Sequence, residues 1–246
     1  HSPEHSLRLP RVVRDDPADP DPALADLYAS LPYETDLEPW LRWGRRARGP
    51  VLYLGVGAGR LAAPLARRGI EVVGVDIHPG MVRVCRGRMP GSEVIRSRIE
   101  DLDLVRRFRL VMAPAGVLAP PSPAERRARL LAAAARLAPD GRLGLELINP
   151  HWVRAGGAPG FRVSSWRGGA IELEVDYRLP GGEVVTQVGG EALIEPEAVE
   201  GWLAAAGLRL VRLLGAPGAD LESSPTFYVL SRSRMKRQRR SQMPST

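Results

Sequence analysis

The 246-residue sequence has one cysteine and four histidines, and no apolar run approaches the roughly 20 residues that span a membrane. Cys85 has no partner for a disulfide within the chain, so we expect a reduced, cytoplasmic setting with Cys85 as core or helix filler. The histidines are scattered, and no His/Cys cluster has the spacing of metal ligands. We therefore expect neither a metal site nor a membrane as partner.

The formal net charge of +7 belongs almost entirely to one end of the sequence. Residues 231–246 contain six Arg and Lys side chains and no acid, so the rest of the chain is almost neutral. We interpret this segment as a disordered basic tail. The alternative is a tether to nucleic acid or to an anionic surface. No basic stripe with interleaved aromatic residues supports that alternative, so we do not expect nucleic acid as a partner.

Three glycines at alternate positions follow the first apolar strand of a strand–helix–strand pattern. They are Gly55, Gly57 and Gly59, and the second apolar strand, residues 72–75, ends on Asp76. Glycine lets the backbone turn tightly and approach a ligand, and the start of the helix offers free N–H groups. An acid at the end of the second strand can accept hydrogen bonds from two ribose hydroxyls. The pattern predicts a nucleotide-binding unit.

Strand and helix patterns alternate up to residue 148, which predicts a mostly parallel sheet covered on both faces. Two cap helices are predicted before this series, at residues 22–30 and 37–47. The series itself is predicted as strands 51–54, 72–75, 93–96, 110–113 and 143–148 with helices 60–68, 79–88 and 123–137. An antiparallel three-stranded insertion is predicted next, at residues 161–166, 170–179 and 183–193. A helix and two final strands, 208–214 and 226–230, complete the pattern.

This pattern predicts one domain over residues 22–230, with an irregular leader at 1–21 and the basic tail at 231–246. Within the domain, residues 22–48 form the helical cap and residues 151–194 the antiparallel insertion. The insertion could act as a lid over a pocket, as an interface for a homodimer or partner protein, or as both.

The spacing Gly55-x-Gly57-x-Gly59 differs from the dinucleotide fingerprint, which leaves two residues before its third glycine. With Asp76 and the continuation Ile77-His78-Pro79-Gly80-Met81, it resembles motif I and the ribose-binding acid of the class I S-adenosylmethionine (SAM) dependent methyltransferases. The resemblance covers roughly residues 27–230. It implies an α/β, Rossmann-like fold with a seven-stranded sheet, helices on both faces and a final antiparallel strand hairpin.

The resemblance also implies a cofactor, a reaction and a set of binding residues. The cofactor is SAM, with S-adenosylhomocysteine as product, and the reaction is methyl transfer to an oxygen, nitrogen or carbon of a small molecule, such as a secondary metabolite. The implied cofactor-binding residues are Gly55, Val56, Gly57, Gly59, Asp76, Ile77, Ile99, Glu100 and Ala113.

Two residues are candidates for catalysis. Tyr33 lies in a segment, residues 31–34, that resembles the part of small-molecule methyltransferases in which a tyrosine reaches toward the cofactor sulfur. His151 follows the predicted fifth strand and is the best-placed base. A hydrophobic staple between helices for Tyr33, and a loop-packing role for His151, are the alternatives. Trp152 and Trp166 could cover the substrate pocket.

Two positions depart from the family pattern and keep other functions open. Tyr53 stands where the family usually has an acid that helps to hold the SAM ammonium, and Arg98 stands where it often has an acid for the adenine amino group. These departures favour, as alternative, a non-methylating enzyme on the same fold that catalyses an elimination, cyclisation or rearrangement. A nucleic-acid methyltransferase is the weakest hypothesis, because residues 113–116 lack the Asn/Asp-Pro-Pro-aromatic motif. A non-catalytic partner subunit also stays open.

Overall fold

The computed structural model describes residues 10–234 and contains two sheets. The central sheet has seven strands, and the second sheet has four. The central strands are β2 (Val51–Leu54), β3 (Val72–Asp76), β4 (Val94–Arg96), β5 (Phe108–Ala113), β6 (Leu137–Ile148), β10 (Leu208–Gly215) and β11 (Thr226–Ser233). The strands of the second sheet, the lid sheet, are β1 (Arg11–Arg14), β7 (Phe161–Arg167), β8 (Ala170–Arg178) and β9 (Val184–Ala192).

The central sheet has the order β10-β11-β6-β5-β2-β3-β4, and β11 runs in the direction opposite to the other six strands. Strands β6, β5, β2, β3 and β4 are parallel, so their carboxyl ends share one edge of the sheet. All four residues of β2 are buried, because side chains cover both faces of the sheet. This arrangement confirms the Rossmann-like, seven-stranded fold that the sequence predicts.

Seven α-helices connect or cover these strands within the described residues. They are α1 (Pro22–Ser30), α2 (Trp40–Ala47), α3 (Ala62–Arg67), α4 (Pro79–Arg88), α5 (Pro123–Ala135), α6 (Pro150–Arg154) and α7 (Val199–Ala204), the last preceded by a 3₁₀ turn. Four of them begin with a polar cap followed by proline, a combination that satisfies the first free N–H groups and fixes the backbone for the first turn. The caps are Asp21, His78, Ser122 and Asn149.

Part of the expected irregular leader forms a strand, and this strand joins the three strands of the insertion in one sheet. Strand β1 pairs in parallel with β9, with Val13 opposite Gln187. Val13 is fully buried in a cluster that includes Leu24 and Leu27 of α1. The four residues of β1 carry arginine at both ends, which gives little strand signal on its own. Contact with a strand about 170 positions away decides the structure, so the expectation of an irregular 1–21 was wrong for Arg11–Arg14.

Several element boundaries also differ from those expected. Helix α2 begins at Trp40 rather than at residue 37, because Pro39 is its cap and disfavours helical backbone just before it. Strand β6 begins at Leu137, six residues before the expected start at residue 143. Residues 150–154 form a short helix instead of a loop.

Strand β11 continues to Ser233, three residues beyond the expected end, because Arg232 still pairs with β6 and β10. The expected basic tail therefore does not begin at residue 231. Its remaining part, residues 235–246, lies outside the described residues. No helix in the described part of the chain is long and apolar enough to cross a membrane.

Candidate active site

A cavity of about 820 Å³ lies at the carboxyl ends of the parallel strands, between the central sheet and the lid sheet. Its volume falls within the range of roughly 300–1,000 Å³ that is typical of small-molecule sites. Residues of the lid sheet, including Leu173 and Val175, form one wall. The N-terminal strap, residues 10–21, contributes Asp15 and Asp16 to the same cavity. The cavity is thus enclosed by segments from the beginning, the middle and the end of the chain.

The glycine loop after β2 lines this cavity with backbone. Gly55 and Gly57 have φ values of 70° and 55°, and both line the cavity. A Cβ atom on Gly55 would lie 2.6 Å from Val117 Cγ2, so a side chain would not fit there. Gly59 instead turns toward α4, where a Cβ would meet Cys85 Sγ at 3.1 Å. The predicted glycines therefore divide into two that face the cavity and one that permits packing.

Cys85 is buried beneath this loop and packs beside Met89. Burial raises the pKa of its thiol to about 11, which keeps it protonated at neutral pH. This environment agrees with a core role rather than with a nucleophile.

Asp76 ends β3 with its carboxylate held by the backbone on both sides. Its Oδ2 accepts a hydrogen bond from the Gly57 N–H at 2.8 Å, and its Oδ1 accepts one from the His78 N–H at 2.9 Å. Burial raises the pKa of this carboxyl, while the hydrogen bonds from His78 and Gly57 oppose the rise. Asp76 and Ile77 both line the cavity. The acid therefore lies at the strand end where the sequence predicts it.

His78 caps α4 and ties that helix to the strap. Its Nδ1 accepts hydrogen bonds from Gly80 N–H at 3.1 Å and from Met81 N–H at 3.3 Å. With Nδ1 as acceptor, Nε2 carries the proton and donates to the Asp21 carbonyl at 2.8 Å. His78 is therefore the N-cap residue of α4.

The segment after β4 contributes Ile99 and Glu100 to the cavity. Arg98 donates to Glu100 Oε1 at 2.7 Å, and Arg129 Nε lies 3.8 Å from the same oxygen. Burial raises the Glu100 pKa, but its own backbone N–H and the two arginines outweigh that effect and hold the pKa below its usual value. Arg98, which departs from the family pattern, thus fixes an ionised acid two residues later. We call the cavity residues between positions 55 and 100 the cofactor half; they are Gly55, Gly57, Val75, Asp76, Ile77, His78, Met81, Ser97, Arg98, Ile99 and Glu100.

The loop after β5 borders the cavity at Pro114, Ala115 and Gly116, whereas Ala113 is buried in the core and does not line it. Ala115 has a φ of 52° and donates its N–H to Glu146 Oε2 at 3.0 Å. Burial raises the pKa of Glu146, and the bonds from Ala115 and Thr226 oppose the rise. A carboxylate from β6 therefore holds this loop in a left-handed conformation that is unusual for alanine.

Sequence reasoning missed the acids on the other side of the cavity. Glu191, near the end of β9, accepts a hydrogen bond from Ile148 N–H at 3.3 Å. Asp15 of the strap accepts one from Gln187 Nε2 at 3.1 Å, and Tyr28 donates to Gln187 Oε1 at 3.0 Å. Glu146 carries a sequence signal, because it is an acid near the end of an otherwise apolar strand. Glu191 and Asp15 carry none. We call the residues that line this side the acceptor half; they are Asp15, Tyr28, Glu146, Trp152, Gln187 and Glu191.

The two predicted catalytic residues do not line the cavity within the described chain. Tyr33 is 38% exposed, and its ring packs under the guanidinium groups of Arg67 and Arg88 at 4.3 and 5.1 Å. His151 is exposed on α6. Tyr28, five positions before Tyr33, lines the cavity, as does Tyr177 of β8. The arrangement gives Tyr33 and His151 no contact with the site.

The two tryptophans predicted to cover the pocket have different surroundings. Trp152 lines the cavity and packs against Phe161 with ring centroids 4.8 Å apart. Trp166 is 55% exposed on β7 and lies away from the cavity. Only Trp152 is therefore in a position to contact a substrate.

His151, Glu195 and Glu197 bring potential metal-ligating atoms within 4.8 Å of one another, a grouping that the sequence spacing does not reveal. Arg154 already forms an ion pair with Glu195, and His151 and Glu197 are exposed. A cation would have to compete with this arginine, so the group is a poor metal site.

The fold and site define a class of protein that comparison with known families identifies. Residues 51–141 match the model of the family described as "methyltransferase domain". This segment contains the glycine loop, Asp76 and the loop after β5. This part of the chain is therefore a methyltransferase domain, and the described residues have the fold of class I SAM-dependent methyltransferases. The alternative of a non-methylating enzyme is not favoured.

Solved structures share this fold over most of their length. The CcbJ methyltransferase of Streptomyces caelestis is 24% identical, with 86% of this chain and 96% of that chain covered and a TM-score of 0.67. CalS10 of Micromonospora echinaspora, an amino pentose methyltransferase involved in calicheamicin biosynthesis, is 22% identical, with coverages of 85% and 90% and a TM-score of 0.61. KedS8 of Streptoalloteichus sp., a sugar N-methyltransferase, is 22% identical, with coverages of 79% and 87% and a TM-score of 0.57. A search of curated protein sequences found no match.

Proposed function

We propose that this enzyme methylates an amino group of a small sugar-like molecule, with SAM in the cofactor half and the amine in the acceptor half. The observation that carries the proposal is one continuous cavity with the glycine loop and Asp76 on one side and the carboxylates of Glu146 and Glu191 on the other. An amine that is cationic at neutral pH is attracted by carboxylates in a partly desolvated site. The acceptor half thus suits an ammonium better than a neutral hydroxyl.

The residues of the cofactor half fit SAM in their chemistry. Gly55 and Gly57 present bare backbone to the cavity, and the carboxylate of Asp76 borders it. Asp76 would bind the ribose hydroxyls and Ile99 would contact the adenine, with Ile77 and Glu100 beside them. Val56, Gly59 and Ala113 do not line the cavity, so we propose that they act by shaping the loops. When bound, SAM supplies a methyl group already activated by a sulfonium.

The protein's own task is then to align the acceptor and to control its protonation. Alignment of reacting groups supplies much of the catalysis in such a transfer. Trp152 and the lid-sheet residues Leu173 and Val175 offer an apolar wall that would orient the body of a sugar-like molecule. Aromatic faces commonly contact the apolar side of such ligands. CalS10, an amino pentose methyltransferase, and KedS8, a sugar N-methyltransferase, support the same substrate class.

Calorimetric titration with SAM and with S-adenosylhomocysteine tests the cofactor site. We expect micromolar dissociation constants for both ligands. Asp76→Ala should weaken the binding of both by roughly 10-fold or more, because the contacts to the ribose hydroxyls disappear. Asp103→Ala is the matched control, since Asp103 is exposed and does not line the cavity. Absence of binding to the unaltered protein would remove the proposed cofactor.

A panel of aminohexoses and aminopentoses, each paired with its hydroxyl analogue, tests the acceptor. We expect S-adenosylhomocysteine to form with at least one amine and faster than with the matching alcohol. Methylation of the alcohols alone would contradict the assignment of nitrogen as the acceptor.

Two further predictions concern the whole protein. Strand β7 has β8 as its strand neighbour in the lid sheet, and we propose that its outer edge is the part of the insertion that could form a homodimer. Sedimentation velocity tests this, and a monomer at all concentrations would contradict it. The cytoplasmic location rests on the single buried thiol of Cys85 and stays a prediction.

A further inference from the structure

We infer that Glu191 accepts the proton that the substrate ammonium must lose before methyl transfer, so that the lid sheet supplies the general base. The inference rests on the proposed amine acceptor. It goes further by assigning to one residue of β9 a role that neither the glycine motif nor the comparisons indicate.

The Glu191 carboxylate lies where the lid sheet meets the central sheet. Its Oε1 accepts the hydrogen bond from Ile148 at the end of β6. A Cβ added to Gly116 would lie 2.3 Å from the same oxygen, so the carboxylate rests directly on the Gly116 backbone. Gly116 belongs to the loop after β5, which also borders the cavity. Glu191 therefore reaches from the lid sheet to the edge of the central sheet.

The anchoring of β9 keeps this carboxylate in place. Ala192 N–H donates to the Ala119 carbonyl at 2.8 Å, which connects the strand to the segment after Gly116. Glu191 also pairs with Ile171 of β8, a residue that is 2% exposed. Neighbours fix the backbone on two sides and thereby reduce the freedom of the Glu191 side chain. A base that must accept a proton at a defined point requires such positioning.

The charges around Glu191 favour proton uptake. Glu146 from β6 and Asp15 from the strap are both acidic, whereas Arg129 from α5 is directed to Glu100 and to the Val117 carbonyl. The other cavity residues of the loop after β5 carry no titratable group. Burial, together with Glu146 and Asp15, raises the Glu191 pKa to about 7, although the Ile148 N–H opposes the rise. A base is most effective when its pKa lies near the working pH.

In the proposed step, one proton and one methyl group are transferred. An N–H bond of the substrate ammonium breaks, the proton goes to a Glu191 oxygen, and the electron pair stays on nitrogen. This pair forms the new N–C bond with the methyl carbon while the S–C bond breaks and its electrons remain on sulfur. The product is a methylated ammonium, and Glu191 returns its proton to solvent after release.

Kinetics of Glu191→Gln test the role, with Glu183→Gln as matched control from the exposed start of the same hairpin. Glutamine keeps the size and the acceptor for Ile148 N–H but cannot take a proton. For the most active amine of the panel, kcat/KM of the unaltered enzyme should rise with pH through about 7. Glu191→Gln should lose about 100-fold or more at pH 7 and regain rate only as the free amine itself deprotonates. Glu183→Gln should match the unaltered enzyme.

The pH profile of a second variant, Glu146→Gln, distinguishes a proton-accepting role of Glu191 from a purely structural role. Removing the neighbouring negative charge should lower the Glu191 pKa, since less repulsion opposes ionisation. The rising limb of the pH profile should therefore shift to lower pH without disappearing. An unshifted limb would contradict the coupling between the two acids.

Proton release on ligand binding gives a readout independent of turnover. Glucosamine is titrated into the S-adenosylhomocysteine complex by calorimetry in two buffers of different ionisation enthalpy. Because a pKa of about 7 leaves part of the Glu191 population protonated at neutral pH, pairing with the ammonium should release protons there and fewer at higher pH. Glucose should release none, and Glu191→Gln should release none with either sugar.

The outcomes separate the two proposals. Unaltered protein that binds no SAM or methylates no amine removes the proposed function and this inference together. If the unaltered enzyme methylates an amine while Glu191→Gln keeps its rate, its pH limb and its proton release, only the role of Glu191 is overturned.

Discussion

The cofactor half and the acceptor half of the cavity are built in different ways. The cofactor half lies within one stretch of sequence, positions 55 to 100, and includes the bare backbone of Gly55 and Gly57. The acceptor half joins side chains from the strap, α1, β6, α6 and β9. A cofactor shared by many enzymes can be bound by a local motif, whereas an acceptor requires side chains that only the folded chain brings together. Changes in the two halves should therefore have separable effects.

Two glycine substitutions test most directly whether the two halves act separately. Gly55→Ala puts a Cβ 2.6 Å from Val117 at a φ of 70°, whereas Gly116→Ala puts one 2.3 Å from Glu191 at a φ of 67°. We expect Gly55→Ala to weaken S-adenosylhomocysteine binding by about 10-fold or more, because the loop must shift. Gly116→Ala should lower kcat/KM by about 100-fold while S-adenosylhomocysteine binding changes little.

Calorimetry and steady-state kinetics on both variants check this pair. Gly87→Ala is the control, because a Cβ there meets nothing within 4 Å and its φ is not positive. Equal losses of cofactor affinity in Gly55→Ala and Gly116→Ala would mean that the halves are not separable.

Strand β1 offers the next test, because it covers the acceptor side. Val13 is fully buried, and Val13→Ala should lower the free energy of unfolding by about 2 kcal/mol through lost burial and a cavity. Val12, its neighbour, is 53% exposed, so Val12→Ala should change the same free energy by less than about 0.5 kcal/mol. Urea unfolding measures both. Similar values for the two would show that β1 contributes no core.

Substitutions of Tyr28 and Tyr33 should have smaller effects. Tyr28→Phe removes the donor to Gln187, a hydrogen bond worth about 1 kcal/mol, and should raise KM for the amine by a few-fold. Tyr33→Phe should leave kcat and KM unchanged, because the cation–π contacts with Arg67 and Arg88 need the ring and not the hydroxyl. Initial-rate kinetics measure kcat and KM for both variants. A larger loss in Tyr33→Phe would restore the sequence-based assignment.

The smallest effect is expected for His151→Asn. His151 is exposed and does not line the cavity within the described residues, so kcat/KM should stay within about two-fold of the unaltered enzyme across the pH range. A pH–rate profile is the measurement. The disappearance of a limb near neutral pH would identify His151 as the base in place of Glu191.

Sequence reasoning predicted the central sheet well because its signals are local. Each of these signals spans only a few residues: the apolar runs of β2 and β3, the caps of α1, α4 and α5, and the strand-end acid Asp76. It failed where a distant partner decides the outcome. Strand β1 exists through its contact with β9. His151 was chosen by chain position, and since it is exposed on α6 its catalytic role stays a prediction.

The glycine loop and Asp76 could be read from the sequence, and they indicate the class of enzyme, since tight turns and strand-end ligands follow from residue type and spacing. The acceptor half forms only when the chain folds. Glu191 and Asp15 stand in unremarkable sequence surroundings, and Tyr28 rather than Tyr33 reaches the cavity. The physical reason is that burial and neighbouring charge, which give a carboxylate its chemistry, arise when distant segments pack together.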